Sequence, residues 1–563
     1  MTEFNPGLIM MLGGLLVPLV SGMARKGILL ALPVIGFGYT IALDPGMSAT
    51  MDMFGYTLEH LRVDKLALVW GYIFHIAAFL GALYAIHEDD ALQGTMAQIY
   101  MGSAVGAVFA GDLITLFVFW ELTAISSVFL IWASRTERAF RAGMRYLVIQ
   151  VGSGVLLLAG AIILYTETGS IAFNHIGLES LGGKLIFIAF GIKCAFPFLH
   201  NWLQDSYPEA TVTGTVILSA FTTKLAVYSL ARGYAGTEIL IYIGAAMTGF
   251  PVFFAVIENN LRKVLAYSLN NQLGFMVVGV GIGSELALNG TASHAFSHIL
   301  YKALLFMSMG AVLFRTGTVK ASELGGLFKS MPWTAGFCIV GAMSISAFPL
   351  FSGFVSKSMI LTAAAEEHRW IVWTVLLLAS AGVMEHSGIK IPYFAFFAHD
   401  NGMRVKEAPL NMLIAMGITA FLCIGIGVYP DPLYAILPYE VNYHPYTIGH
   451  VITSLQLLVF AALAFLFLIK TGWYPAETPS TNLDFDWLYR RVLPRFIAYL
   501  KDGWDEVDRQ GRQFLLGIVA DIMAWVHKYH GINGMMARTY PAGTMVFWTL
   551  AMFVVFLVFY LVG

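Results

Sequence analysis

The chain has 563 residues, 58% of them hydrophobic and only 12% charged, with a formal net charge of −2 and a mean hydropathy of +0.74. A soluble domain carries about 25% charged residues, so half that share places the chain among polytopic membrane proteins. The near-neutral balance leaves no polybasic surface and no electrostatic case for binding nucleic acid.

At about 20 apolar residues per crossing, the sequence holds roughly fifteen or sixteen membrane segments. They fall near 7–23, 27–43, 66–86, 95–110, 112–133, 143–165, 184–203, 210–231, 238–257, 264–283, 292–314, 333–365 (broken), 370–398, 409–429, 451–470 and 542–562. These runs are too long for barrel strands, and otherwise only helices satisfy the backbone in lipid. The expected fold is therefore an all-α polytopic membrane protein. The first segment lacks the basic flank and small-residue cleavage site of a signal peptide, so it is expected to be retained. Arg25 and Lys26 follow the first crossing, and Arg135, Arg138, Arg141 and Arg145 follow the fifth. Both clusters share one side, which the positive-inside rule makes cytoplasmic, with the N-terminus outside.

The fifth segment, GDLITLFVFWELTAISSVFLIWA, carries one carboxylate, Glu121, near its middle. An ionisable residue at that depth is costly and marks a functional site with a partner to be found. The alternative is a protonated carboxyl that only bonds a neighbouring helix. Lys193 and Lys224 are the candidate partners. Snorkelling to the membrane surface suits residues near helix ends better than these mid-segment positions. Farther on, His294, His298 and Lys302 are spaced i, i+4, i+8 in SHAFSHILYKALLF, one face of one helix. A proton wire fits this row better than zinc, because no third ligand is in view. Lys357 follows a helix break and marks an exit or a second transfer point. Lys390, with Glu385 and His386, is either functional or an anchor at the cytoplasmic end. Glu258, Arg262 and Lys263 sit at a segment boundary, where a solvated helix end is the plain alternative.

Two segments are interrupted in corresponding parts of the chain. Pro197 and Pro208 break GIKCAFPFLHNWLQDSYPEATVTG between Lys193 and Lys224, and Pro349 and Gly353 break SISAFPLFSGFVSKSMI before Lys357. Paired breaks of this kind point to inverted repeats with a site near the bilayer midplane. The expected division is 1–94 (N-terminal helices), 95–257 and 258–400 (the two repeats), 401–470 (further helices), 471–541 and 542–563. Residues 471–541 read as an amphipathic helix on the membrane surface, broken near Pro494 and Gly503, with Trp487, Trp504 and Trp525 suited to the interface. Cys194, Cys338 and Cys423 are scattered in apolar surroundings without metal-ligand spacing. Gly279-x-Gly281-x-Gly283 follows no strand and is no nucleotide loop. No catalytic nucleophile, cofactor motif or metal site is expected.

GDLITLFVFWELTAISS, GIKCAFPFLHNWLQDSYPEA, LRKVLAYSLNNQLG, HAFSHILYKALLF and FPLFSGFVSKSMIL occur in the order found in the antiporter-like subunits of respiratory complex I, membrane-bound hydrogenases and Mrp cation/proton antiporters. The resemblance covers roughly residues 60–430, and YPEATVTGTVILSAFTTK with GIKIPYFAFF most resembles the D-type subunits of Mrp antiporters. It implies a Glu121–Lys193 pair and proton translocation through Lys224, His294, His298, Lys302 and Lys357. Where many members have Lys-Arg before VLAYS, this chain has Arg262-Lys263, so two residues compete for the central lysine role. Arginine stays protonated and suits an electrostatic role. The implied function is a proton-translocating, non-enzymatic subunit of a multisubunit Na+/proton antiporter in a bacterial inner membrane. Its implied partners are small hydrophobic subunits and a second antiporter-like chain. The long amphipathic tail resembles the lateral helix of the distal antiporter-like subunit in complex I. It keeps open a redox-driven complex, the membrane half of an inorganic-carbon uptake complex with a zinc enzyme, or an inactive scaffold.

Overall fold

In a computed structural model, which describes residues 3–53, 55–478, 482, 484–539 and 541–562, short polar residues start the helices where the sequence places them. Helix α1 (Gly7–Gly14) and α2 (Gly22–Ile41) lead into a hairpin of β1 (Ser48–Met53) and β2 (Tyr56–Arg62). This antiparallel pair is absent from the sequence reading. Then follow α3 (Lys65–Ala85), α4 (Ala91–Val108), α5 (Leu113–Trp132) and α6 (Glu137–Thr168). Their N-caps are Asp64, Asp90, Asp112 and Thr136, each accepting from a first-turn amide. Such a cap is worth about 1 kcal/mol.

The first interrupted segment forms α7 (Leu181–Cys194) and the short α8 (Asn201–Ser206), and the next crossing splits into α9 (Val212–Ala220) and α10 (Thr222–Gly233). Helices α11 (Ile239–Ile257), α12 (Leu261–Ile282) and α13 (Glu285–Thr316) follow. A Cβ on Gly274 of α12 would meet the Gly244 carbonyl of α11 at 2.5 Å, so these glycines permit the close approach of the two helices. Helix α13 is buried along almost its whole length and packs against α3, α9, α12, α14 (Pro332–Ile345) and α15 (Ser352–Glu366). The crossing at 370–397 is irregular. Helix α16 (Trp370–Val383) runs into π-helical turns at Met384–Ile389 and Tyr393–Phe397, on either side of α17 (Lys390–Pro392). Helices α18 (Leu410–Val428), α19 (Asp431–Ala435) and α20 (Ile448–Thr471) complete the first compact unit, Met1–Asn482.

Eleven helical spans among the described residues are long and apolar enough to cross a membrane. The other expected crossings coincide with α1, α4, the broken α7–α8, the polar α12 and the broken α14–α15, whose shortness or polarity hides them from a plain hydropathy test. The two breaks share one backbone design. Ala195 (φ 61°) and Phe198 (φ 70°) flank Pro197, and Ala347 (φ 59°) and Leu350 (φ 75°) flank Pro349. In each, the amide before the proline bonds five residues back, Phe196 to Gly191 and Phe348 to Met343, both at 3.0 Å. A left-handed residue other than glycine costs roughly 1–2 kcal/mol, so a repeated pair of them marks two equivalent elements.

Ion pairs gather the basic clusters onto one face: Arg25–Asp89 at 2.7 Å, Arg135–Asp90 at 2.9 Å, Arg138–Glu209 at 2.6 Å and Arg145–Asp205 at 2.7 Å.

The second unit, Leu483–Gly563, contains α21 (Leu493–His530) and α22 (Ala542–Val562). The expected irregularity near Pro494 takes the form of a π-helical turn at Leu488–Val492 that runs directly into α21. The break expected at Gly503 is corrected, since α21 runs through it without interruption. One interior glycine costs about 1 kcal/mol, which a helix of 38 residues absorbs. Pairs such as Arg509–Glu506 and Arg512–Asp508 tie its polar face.

Candidate functional site

The charges singled out in the apolar segments converge on a buried polar file. Lys193 lies in the last turn of α7, just before the first break. Its Nζ donates to the Trp120 carbonyl at 2.5 Å and to Thr123 Oγ1 at 2.9 Å, and lies 4.3 Å from the Trp120 ring centroid. Glu121, on the same turn of α5, is close enough to interact with this ammonium electrostatically. The expected pair is therefore an interaction across a short gap, because the ammonium is held by Trp120 and Thr123 instead. Among the described residues Glu121 Oε1 has no hydrogen-bond partner. The carboxylate rests against Gly154 of α6, where a Cβ would fall 1.5 Å from Oε1.

Lys224 sits one turn into α10, after a kink at Phe221 (φ −104°, ψ −67°). Its Nζ turns back to the Ser219 carbonyl freed by that kink, at 2.5 Å. Lys224 in turn acts electrostatically on His298 and Lys302 of α13. The His294 and His298 rings stack at 6.1 Å between centroids, as the i, i+4 spacing requires. His294 reaches Ser356 Oγ at 3.3 Å and the Tyr301 hydroxyl at 3.4 Å, and Tyr301 donates to Gln272 Oε1 at 3.1 Å.

From α13 the file forks. One branch follows Ser356 to the neighbouring Lys357, whose Nζ has no polar partner among the described residues and lies 4.4 Å from the Phe275 ring centroid. Lys357 lines a cavity of about 260 Å³ with Ser358, Thr362, Ser380, His450 and Thr453. The other branch begins at Lys302, which donates to Ser268 Oγ at 2.8 Å. Ser387 bonds Ser268 at 2.7 Å and His386 Nδ1 at 2.8 Å. His386 is fully buried, one turn before Lys390.

Lys390 is no exposed anchor: its side chain has no accessible surface. It donates to the carbonyls of Val256 at 2.6 Å and Glu258 at 2.8 Å and pairs with Glu477 at 2.8 Å. Glu385 acts electrostatically on it. Arg262 and Lys263 divide the two possibilities at their boundary. Arg262 is buried and donates to the carbonyls of Pro208 (3.1 Å), Ala210 (3.0 Å) and Thr211 (3.1 Å), and to Thr215 Oγ1, clamping the loop before α9. Lys263 stays partly exposed and pairs with Glu258 at 3.1 Å. Thr123, Ser268, Ser387 and Glu477 are the partners that sequence reasoning missed. Among the described residues no three His, Cys, Asp or Glu side chains group as a metal site.

Residues 110–382 match the model of the NADH:quinone oxidoreductase/Mrp antiporter transmembrane family. The chain is 31% identical to the D subunit of the Na(+)/H(+) antiporter of Alkalihalophilus pseudofirmus, over 59% of this chain and 72% of that one. It is 26% identical to hydrogenase-4 component B of Escherichia coli, over 65% of this chain and 62% of that one. Its fold resembles a chain of the Mrp complex from Dietzia sp. DQ12-45-1b with a TM-score of 0.69 at 20% identity, covering 82% of this chain and 98% of that one. The five sequence motifs, the duplicated helix breaks and these likenesses agree: the chain is a multi-pass, antiporter-like membrane subunit and belongs to the NADH:quinone oxidoreductase/Mrp antiporter family.

Proposed function

We propose that this chain is the proton-translocating subunit of a multisubunit Na+/proton antiporter, with protons carried along the file from Glu121 to Lys357 and Lys390. The observation that carries the proposal is the file itself. Lys193, Lys224, His294, His298, Lys302, Lys357 and Lys390 are all buried. From Lys224 onward the members are joined by hydroxyls or direct electrostatic contact, while Lys193 is held with Glu121 at the head of the file by Trp120 and Thr123. Burying a row of bases is expensive unless their charge is shared or exchanged.

Glu121 and Lys193 form the entry pair. Protonating Lys193 strengthens its hold on Glu121, and losing that proton frees the carboxylate. Lys224 senses the change and passes it to α13, so the sites titrate as one interacting set. Arg262 stays charged and acts as a clamp, while Lys302 holds the central transfer position. The chain sits in the inner membrane of a bacterium with its N-terminus outside and Arg25, Arg135, Arg138, Arg141 and Arg145 on the cytoplasmic face, as the positive-inside rule implies. Its partners are small hydrophobic subunits and a second antiporter-like chain, in keeping with its likeness to the D subunit of an Na(+)/H(+) antiporter.

The experiment that tests this is purification of the tagged chain in mild detergent, followed by reconstitution of what accompanies it into proteoliposomes. Small hydrophobic subunits and Na+-dependent proton uptake are expected. Co-purifying iron–sulfur subunits, with proton movement only on adding a reductant, would favour a redox-driven complex. The likeness to hydrogenase-4 component B keeps that second reading in view.

A further inference from the structure

We propose that Arg232, gripped between Asp64 and Tyr228, is a proton-tight stopper that closes the file at Lys224 against the membrane face opposite the basic clusters. Lys224, Tyr228 and Arg232 of α10 are spaced i, i+4, i+8 and share one helical face. Asp64 opens α3, while Asp89 and Asp90, just beyond the other end of that helix, pair with Arg25 and Arg135 of the basic clusters. Residues 64 and 232 therefore lie at the opposite face. A cavity of about 480 Å³ sits there, with Asp64, Lys65, Asn174, His175, Arg232 and Tyr439 in its wall. The Asp64 side chain is 38% exposed and the Arg232 side chain only 10%, so the arginine stands where the polar mouth meets the packed interior.

The hydrogen bonds behind that mouth are continuous, yet they cannot pass a proton on. The guanidinium forks onto Asp64, Nη1 to Oδ2 at 2.8 Å and Nη2 to Oδ1 at 2.9 Å. Its Nε donates to the Tyr228 hydroxyl at 2.9 Å, and that hydroxyl donates in turn to the Val108 carbonyl. A relay must take up a proton on one side and give one off on the other. A guanidinium carries five donors and no acceptor, and it keeps its proton at any physiological pH. A proton taken up by Asp64 therefore has no onward step. The Phe173 and Tyr228 ring centroids lie 5.9 and 5.0 Å from the guanidinium carbon. Trp70 packs 5.6 Å from Tyr228 between centroids, and its Nε1 donates to the Lys224 carbonyl at 3.0 Å. Three aromatic rings thus surround the link between the cavity and Lys224.

The surrounding charges work in the same direction. Arg62 of β2 donates to the Phe173 carbonyl at 2.5 Å and to Asn174 Oδ1 at 3.0 Å, and interacts electrostatically with Arg232, Asp64 and Glu59. Lys65 stands in the cavity wall, where α13 contributes only Leu288. Arg62, Lys65 and Arg232 outnumber the acids Asp64 and Glu59, so the mouth carries an excess of positive charge. A fixed arginine at a constriction repels an approaching proton, as in pores that admit water and exclude protons. The cavity beside Lys357, which the order of crossings puts at the same face, has no arginine in its wall. Access from this face is thus barred at Lys224 and unbarred at Lys357. The inference rests on the proton-translocation reading, because a proton slipping from Lys224 to this face would bypass α13 and uncouple transport.

The test replaces the arginine by a residue that exchanges protons and by one that does not. Proteoliposomes holding the complex, with a pH dye inside and no Na+, are given a potassium diffusion potential with valinomycin. Arg232→His should leak protons about tenfold faster than the unmodified complex, most strongly near pH about 6.5, where imidazole both takes up and gives off protons. Arg232→Gln, whose amide does not titrate, should stay as tight as the unmodified complex. No leak in Arg232→His, with chain and partner levels unchanged, would overturn the stopper and leave Arg232 as a structural strap. An equal leak in both variants would overturn it too, since packing damage would then be the cause. Should Arg232→His alone fail to assemble, the same comparison is made in Asp64→Asn chains, where no carboxylate is left unpaired, and its outcomes read the same way. The two readings fail separately. Na+/proton exchange by the unmodified complex without a leak in Arg232→His sinks only the stopper. A leak confined to Arg232→His, in a complex that shows no Na+/proton exchange when unmodified, sinks only the antiport function.

Discussion

Gly154→Ala tests the placement of Glu121 without touching a charge. The new Cβ would lie 1.5 Å from Glu121 Oε1 and 2.4 Å from Cδ, whereas ordinary contact begins at 3.4 Å. The carboxylate must therefore retreat by about 2 Å, and because it is the far end of a flexible side chain the fold should lose under about 1 kcal/mol. The consequence falls on the coupling to Lys193. At an effective dielectric constant near 20, drawing two unit charges from about 5 to about 7 Å apart forfeits about 1 kcal/mol, roughly a fivefold effect. Na+-dependent proton uptake into proteoliposomes holding the complex should fall by about that factor or more, with chain and partner levels unchanged. Adding Glu121→Asp, which withdraws the carboxylate by one methylene, should relieve the clash and restore part of the rate. A Gly154→Ala complex that transports at the unmodified rate would refute the idea that the position of this carboxylate matters.

Ser268→Ala removes the hydroxyl between Lys302 and Ser387. A lost hydrogen bond to a charged group is worth about 1.5–3 kcal/mol, so transport should slow about tenfold, while Ser268→Thr should stay near normal. Arg262→Ala and Arg262→Lys should both lower the folded yield in detergent, by roughly 3 kcal/mol of stability. A lysine cannot reproduce the forked contacts to Pro208, Ala210 and Thr211. Asp64, at the head of α3, is exposed to opposing influences. Burial raises its pKa, but the two-pronged contact with Arg232 and the Ala67 amide outweigh this and hold the carboxyl below the usual range. Its contribution to stability is thus complete above pH about 4 and is lost only as pH falls through the lower folded-state value. Hydrogen exchange of residues 56–67 should stay slow in the natural chain from pH 8 to 5 and be fast throughout in Asp64→Asn.

The helical segments and the isolated charges were legible in the sequence because lipid leaves little freedom: apolar runs must be helices, and an ionisable residue inside one has few places to go. Pro197 and Pro349 announced the two breaks. The matching left-handed residues at Ala195, Phe198, Ala347 and Leu350 did not announce themselves, since none is glycine. The kink at Phe221 was hidden for the same reason, with neither proline nor glycine between Ala220 and Lys224. The π-helical turns around Lys390 have no composition of their own, so that lysine read equally well as an anchor. Partners were the least legible part of the site. Hydroxyls such as Thr123, Ser268 and Ser387 are common in membrane helices. Glu477 lies 87 positions from Lys390, in a stretch that reads as the start of the charged tail. The hairpin at residues 48–62 escaped because its strands expose most of their side chains and show little apolar alternation.

Glu121→Gln in the reconstituted complex tests the central claim most directly, because it keeps the shape of the side chain and removes only its charge. Na+-dependent proton uptake should fall to background while the chain still inserts and still holds its partners. Uptake at the unmodified rate would contradict the account, since the entry pair would then be dispensable and the buried file would need another source of protons.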